Sequence, residues 1–421
     1  MPSFFPSRKI LETLYISVVI FFTYTSVFAY RKAFSVASFE GQQILGISYQ
    51  TSLIISQVIG YMLSKFAGIK LISELKRTGR WKASAVLVGT AWFSLFLFAI
   101  LPSWAGLICF LINGFTLGFM WGVVFSYAEG RRSTDLIGSV LAVSFIFAGG
   151  FTRSIGKWLI VSMDVSEKWM PFVTGLVFVL PLTLFLYLLE KAPLPDKEDL
   201  DERVERVAMN SSQRRKILSG FTPGIVAVAI TYGLLTIMRD IRDNYMGNMW
   251  NELGYSENVS VLAKSESRIS LIVLIFMSVL VLVRKNFIAF RAIHILVLLG
   301  FLTAGISSYL FINGHLGGST WMQCVGLGLY MSYIPFNAIY FERMIASFRL
   351  IGNVGFLIYI IDAFGYLGSV SVMLFKETRK VQLQWTDFYA NAVMGLAATG
   401  IAGTIFALIY FSVKYRSQRQ A

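Results

Sequence analysis

Two adjacent cations, Arg31 and Lys32, sit within an apolar run, Tyr24-Thr25-Ser26-Val27-Phe28-Ala29-Tyr30-Arg31-Lys32-Ala33-Phe34. A second apolar stretch, from Phe221 onward, carries Arg239 and Arg242 at a similar depth. An ionisable group inside a bilayer costs roughly 3 kcal/mol or more, so it faces a cavity or a partner. The chemistry these residues offer is anion binding. A guanidinium donates a planar fork of hydrogen bonds to phosphate or carboxylate oxygens and keeps its charge in a low dielectric. Tyr24 and Tyr232 each precede an arginine by seven residues, two turns along one helix face, so both hydroxyls can reach the same oxygens.

Five further ionisable residues belong to the same question. Arg153 and Lys157 share a helix face at i and i+4, where like charges repel, so a carboxylate or an anionic ligand is expected beside them. Asp362 is an acid far from any loop, available to neutralise a cavity arginine or to carry a coupling proton. Asp243 lies four residues after Arg239 and offers it an internal pair, and Asp240 and Arg242 complete a cluster of zero net charge. The alternative for Arg31 and Lys32 is snorkelling to the lipid headgroups, and it weighs more on Lys32, which faces a different direction.

The elements that hold these residues are transmembrane helices. The chain has 421 residues, 56% hydrophobic and 14% charged, with a mean hydropathy of +0.66. Soluble chains carry about a quarter charged residues. The 36 Phe, 19 Tyr and 9 Trp suit a lipid-facing surface. This is the composition of an all-α integral membrane protein. Cys109 and Cys324 fall inside apolar spans, with no metal-ligand spacing, so neither a disulfide framework nor a metal site is expected. There is no P-loop and no nucleophile–base arrangement, which leaves enzyme readings and cofactors without support. The first helix has no small-residue cleavage site and reads as retained.

Twelve segments approach the length of about 20 apolar residues that a crossing needs. The first six are Ile10–Ser35, Gln43–Ser64, Ala83–Leu101, Ala105–Ala128, Leu136–Met163 and Pro171–Glu190. The second six are Phe221–Asp243, Ser260–Val283, Ile288–Ile312, Thr320–Phe341, Leu350–Phe375 and Phe388–Val413. A polar, Pro-containing stretch divides the chain into a bundle at 1–190, a cytoplasmic linker at 191–219 and a bundle at 220–421. With a cytoplasmic N-terminus, twenty-five of the 37 Lys and Arg fall in inner loops and six in outer loops, which places both termini in the cytoplasm. The net charge of +14 is therefore a topology signal and not a nucleic-acid footprint. The six basic residues that loops do not explain are Arg31, Lys32, Arg153, Lys157, Arg239 and Arg242. Leu136-Ile137-Gly138-Ser139-Val140 and Leu350-Ile351-Gly352-Asn353-Val354 are offset by 214 residues, close to the 208 between Arg31 and Arg239, as an internal duplication requires.

Six plus six helices around a charged central loop resemble the major facilitator superfamily, over essentially the whole chain. Tyr24-xxx-Phe28-xx-Arg31-Lys32-x-Phe34 looks like the first helix of the organophosphate:phosphate antiporters. Ile237-Met238-Arg239, followed by Trp250, falls where their second arginine stands on helix seven. The glycine–aromatic texture of Gly114-Phe115-Thr116-Leu117-Gly118-Phe119-Met120-Trp121-Gly122 is similar as well. Three features depart from the pattern. Ser64 replaces the acid of the loop between helices two and three, ahead of Thr78-Gly79-Arg80. The only histidines, His294 and His315, leave helix five without the antiporters' histidine. Arg153 and Lys157 stand on that helix instead.

The resemblance implies a secondary transporter of a small, phosphorylated organic anion, working by alternating access with phosphate or a proton as the coupling species. Arg31, Arg239, Tyr24, Tyr232 and Lys32 are its substrate residues. Trp121 and Tyr330 join them because helices four and ten line the cavity in that superfamily. Asp362, Arg153, Lys157, Asp240, Arg242 and Asp243 are the coupling or gating set. The expected setting is a monomer in a bacterial inner membrane, in contact with the lipid bilayer and with no nucleic-acid partner. Two alternatives stand beside this: a proton-coupled symporter of an organic anion or peptide fragment, and a membrane sensor that binds an organophosphate without moving it.

Overall fold

The computed structural model describes residues 8–73, 79–128, 131, 133–194, 211–349, 355–378 and 384–420. The charged run 196–206, Thr78 and the second copy of the repeat motif, 350–354, lie outside those residues. The first half holds α1 (Arg8–Lys32), α2 (Tyr49–Ser73), α3 (Arg80–Ile100), α4 (Ser103–Gly118), α5 (Met120–Phe125), α6 (Thr134–Met163) and α7 (Met170–Glu190). The second holds α8 (Ser211–Glu252), α9 (Val261–Leu282), α10 (Asn286–Ile312), α11 (Gly318–Pro335), α12 (Phe341–Ser347), α13 (Gly355–Thr378) and α14 (Trp385–Gln420). Among the described residues ten helices are long and apolar enough to cross a membrane, with α4–α5 and α11–α12 each counted as one. At 25 and 24 residues, α2 and α13 have the length to complete twelve.

Within the halves, α1 packs on α6 and α7, α4 on α2 and α3, α8 on α13 and α14, and α10 on α11 and α14. Across the halves, α6 packs on α9 and α2 on α13. In the count of crossings these are helix five on eight and helix two on eleven, and a shift of six turns each contact into the other. The two halves are thus six-helix pseudo-repeats. Apolar side chains such as Leu180, Leu282 and Phe364 stay exposed on the outside, as a lipid-facing wall requires.

Close backbone approach replaces hydrophobic drive in such a bundle. A Cβ at Gly114 of α4 would collide with the Gln57 carbonyl oxygen of α2, and one at Gly150 of α6 with the Leu262 carbonyl oxygen of α9. The glycine-rich texture of segments four and five is therefore a packing device at the helix crossings.

The structure corrects several sequence boundaries. Residues 43–48, read as the start of segment two, form a two-stranded hairpin, β1 (Gln43–Ile44) against β2 (Ile47–Ser48), in register Gln43 to Ser48. Leu45 (φ 53°) and Gly46 (φ 77°) make its turn, whose two positive φ angles match the right-handed twist of the strands. Segment four breaks at Phe119, between α4 and α5. Segment seven is far longer than Phe221–Asp243. Its helix starts at Ser211, inside the stretch read as linker, and runs to Glu252, with the backbone bending at Phe221 and Tyr245. Segment ten passes through a π-helical turn, Phe336–Tyr340, directly after Pro335, whose missing N–H opens the ladder there.

Candidate functional site

All six unexplained cations are buried. Among the described residues the buried charged set is Arg31, Lys32, Arg153, Lys157, Arg239 and Arg242 against Asp240, Asp243, Glu266 and Asp362. Six cations face four acids, so the interior carries excess positive charge. How the acids are shared decides which cations remain available.

Asp243 of α8 takes two of them. Lys32 Nζ lies 3.0 Å from its Oδ2, and Arg153 Nη2 lies 2.9 Å from its Oδ1. Lys32 also donates to Asn244 Oδ1 at 2.5 Å, and Arg153 Nε donates to Ser35 Oγ at 2.7 Å. Arg153 further reaches the Gly149 and Asp243 carbonyl oxygens, so each of its three guanidinium nitrogens has an acceptor. Glu266 of α9 takes Arg242 through two hydrogen bonds, 2.7 Å from Nη2 to Oε1 and 3.1 Å from Nη1 to Oε2, with both side chains fully buried. Lys157 Nζ donates to the Tyr255 carbonyl at 2.8 Å and to Asn251 Oδ1 at 3.3 Å. Asp240 accepts from Ser369 Oγ at 2.8 Å.

Arg31 and Arg239 are left. Among the described residues no carboxylate lies within ion-pair distance of either, and the Nε of each has no hydrogen-bond partner. Aromatic rings surround them instead. Arg31 Cζ stands 3.8 Å over the Tyr61 ring and 5.9 Å from Phe28. Arg239 Cζ stands 4.7 Å over Tyr333 and 5.7 Å over Phe145, and its Nη2 donates to Tyr366 Oη at 3.3 Å. Tyr61 and Tyr366 meet edge to face at 5.4 Å, which joins the two arginine pockets. Cation–π contact recovers part of the desolvation of a guanidinium and leaves its in-plane donors open.

Tyr24 flanks this cage, edge-on to Trp121 at 5.3 Å and 5.9 Å from Phe28. Tyr330 belongs to the other side of the network, with Arg242 5.6 Å over its ring and Phe145 6.0 Å away. Tyr232 differs from its expected role. Its hydroxyl donates to Asp362 Oδ1 at 2.7 Å and accepts from Asn337 Nδ2 at 2.8 Å, so it serves the acid and not Arg239. The Arg239–Asp243 pair does not form, because Lys32 and Arg153 occupy both carboxylate oxygens. Sequence reasoning missed Tyr61, Tyr333, Tyr366, Asn337 and Glu266. For Glu266 a signal was present: Leu262, Glu266, Ile269 and Val273 form the buried stripe of α9, while Lys264 and Arg268 point outward.

At one end of the bundle, marked by the β1–β2 hairpin, a polar seam ties the halves together. Gln50 and Asn248 exchange reciprocal amide hydrogen bonds at 3.1 Å. Thr51 Oγ1 bonds Tyr245 Oη at 2.7 Å, and Glu377 accepts from Ser48 and Thr51, each at 2.9 Å. The Lys32–Asp243–Arg153 triad continues that seam inward. At the opposite end Arg343 of α12 approaches Asp135 of α6 at 3.8 Å, a partly exposed pair of little energetic weight. Ser64 donates to the Tyr61 carbonyl at 2.6 Å. A separate groove of about 610 Å³ between α3 and α7, lined by Trp81, Val88, Trp92, Leu182 and Leu186, is apolar and holds neither arginine.

A family model matches residues 33–414 and is described as a family of unknown function, DUF5690. The chain belongs to DUF5690. No curated protein matches it. Solved structures similar to this DUF5690 chain include a point-mutant form of the nucleoside transporter NupG. There the TM-score is 0.62 at 11% identity, over 95% of this chain and 100% of that one. A second structure of NupG gives 0.59 at 12% identity, over 95% and 99%. The major facilitator superfamily proton:xylose symporter XylE, bound to 6-bromo-6-deoxy-D-glucose, gives 0.59 at 14% identity, over 94% of both chains. At these identities the likeness establishes the fold alone: this chain has the major facilitator architecture.

Proposed function

We propose that the chain is a secondary active transporter of a small organic anion, working by alternating access, with Arg31 and Arg239 as the anion-binding pair. One observation carries the proposal. Each half contributes one buried guanidinium that no described carboxylate neutralises, and the two pockets adjoin through Tyr61 and Tyr366. Substrate sites in transporters built from repeats lie at the repeat interface near the membrane midplane. A desolvated anion there needs charge-assisted donors, and two guanidinium forks supply them. Tyr24 borders the same space.

Lys32, Arg153, Lys157, Asp243 and Arg242 then act in gating and not in binding. With both termini in the cytoplasm of a bacterial inner membrane, as the charge count favours, the hairpin end faces outward. The seam is its closure. The bundles at 1–190 and 220–421 rock about the site, with 191–219 between them, and the chain acts as a monomer. Phosphate, favoured by the resemblance in helices one and seven, is the preferred anionic group and exchange species. A proton-coupled variant has one supporting observation, the buried acid Asp362. The test is exchange of labelled phosphate and organophosphates in proteoliposomes: flux abolished by Arg31→Lys and Arg239→Lys supports the proposal. Binding without flux would instead make the protein a sensor.

A further inference from the structure

The groove between α3 and α7 lies apart from both the anion site and the seam. At its inner end the two helices meet. Trp92 of α3 stacks on Phe172 of α7 at 5.2 Å, and its Nε1 donates to the Phe172 carbonyl at 3.1 Å. From there toward Arg80 the helices part, and Tyr30 of α1 joins the lining. Gly89 borders the opening, where a Cβ would meet open space. The lining runs from Trp92 to Trp81 on α3 and from Val179 to Glu190 on α7, a rise of about 16 Å along each helix. One leaflet of the hydrocarbon core is about 15 Å deep. The groove therefore spans one leaflet, with its mouth at the end opposite the β1–β2 hairpin.

The mouth differs from the apolar interior. Arg80 opens α3 there, with its Cζ 5.0 Å over the Tyr127 ring and its buried Nε without a hydrogen-bond partner. Lys82 Nζ stands 5.9 Å from the Trp81 ring and Lys191 Nζ 5.5 Å from the Tyr187 ring, and both rings line the groove. Among the described residues no carboxylate lies within ion-pair distance of these three cations. Glu190, the one acid of the lining, accepts the Tyr127 hydroxyl. One turn inside Arg80, Ser84 is fully buried and lines the groove, yet its Oγ has no partner. Helical serines commonly bond back to the carbonyl one turn before; Ser84 does not, so an acceptor must come from elsewhere.

An anion at the mouth, an ester acceptor one turn deeper and an apolar chain beyond it follow each other in this order in a glycerophospholipid. The Arg80–Ser84 rise of about 6 Å matches the interfacial layer, roughly 5–8 Å thick on each side of the hydrocarbon. We infer that the α3–α7 groove is a binding site for one anionic glycerophospholipid. Its phosphate sits on Arg80, Lys82 and Lys191, an ester carbonyl accepts from Ser84, and one acyl chain lies along Val88, Leu182 and Leu186. An uncharged headgroup is favoured over a choline or ethanolamine, because a further cation would face three already present.

Purified full-length protein, stripped of co-purified lipid, is titrated in detergent with phosphatidylglycerol and with phosphatidylcholine of the same chains. Bound lipid is counted by native mass spectrometry. The expected result is one phosphatidylglycerol per protein, bound about tenfold or more tightly than phosphatidylcholine, since each basic residue at an anionic headgroup is worth about fivefold. Lys82→Gln with Lys191→Gln, both at exposed positions, should close most of that gap. Gly89→Phe should remove the bound lipid of either kind while the lipid-free protein melts as the wild type does, because the ring enters space that no protein atom fills. Equal binding of the two lipids, a preference that survives the lysine double variant, or occupancy unchanged in Gly89→Phe overturns the inference. Displacement of the bound lipid by inorganic phosphate would assign the mouth to a soluble anion and overturn it as well.

Discussion

Tyr61 and Tyr366 meet edge to face at 5.4 Å, one from each half of the fold, and each carries an arginine. Arg31 lies on the face of Tyr61, and Arg239 donates to the hydroxyl of Tyr366. The pair closes the space between two guanidiniums without neutralising either.

Tyr61 therefore holds Arg31 by its ring and not by its hydroxyl. Tyr61→Phe is expected to keep anion affinity within about twofold, because the cation–π contact remains. Tyr61→Ala removes that contact, worth about 1 kcal/mol, and should weaken binding about fivefold. Calorimetric titration of the two variants against the same anion checks this, and equal losses would show that the hydroxyl matters instead.

Asp243 is the single carboxylate shared by Lys32 and Arg153 across the interface of the halves. Asp243→Asn leaves two buried cations without a counter-charge, a loss of roughly 3–5 kcal/mol from the closed arrangement. A cysteine at Gln50, in the adjoining seam, should then react faster with a membrane-impermeant maleimide than the same cysteine with Asp243 intact. Unchanged labelling would show that the triad does not hold that end closed.

Glu266 and Arg242 form a fully buried two-point pair between α8 and α9. Glu266→Gln should lower the melting temperature markedly, since roughly 3–5 kcal/mol is lost when one partner of such a pair is removed. The double variant Arg242→Met with Glu266→Leu should recover much of that loss, because no unpaired charge remains. Thermal melts of the three proteins in one detergent decide the matter.

Gly150 sits where α6 crosses α9, against a backbone carbonyl that cannot move away as a side-chain tip would. Gly150→Val should destabilise the contact between the halves far more than Gly89→Val, since a Cβ at Gly89 meets open space. The comparison is read as folded yield after extraction and as melting temperature.

The twelve crossings were legible in the sequence because a bilayer imposes one length on every apolar run. The burial of Arg31 and Arg239 inside the bundle was legible for a related reason, since a charge in such a run has a cost that demands a cavity or a partner. What could not be read was how the acids are shared out. Asp243 is four residues from Arg239 yet pairs with residues of the other half, and only the crossing of α1, α6 and α8 brings them there. Glu266 was hidden between Lys264 and Arg268, which give its segment the look of a loop edge although helical spacing puts it on the buried stripe. The hairpin at 43–48 escaped because its turn uses Leu45, a residue that gives no sign of a positive φ.

The most direct measurement is exchange of labelled anion across proteoliposomes containing the wild-type protein, Arg31→Lys or Arg239→Lys, each with its melting temperature recorded. The account predicts saturable exchange in the wild type and at least a tenfold loss in each variant, with melting temperatures close to wild type, because lysine keeps the charge but not the fork. Exchange at wild-type rate in both variants would contradict it.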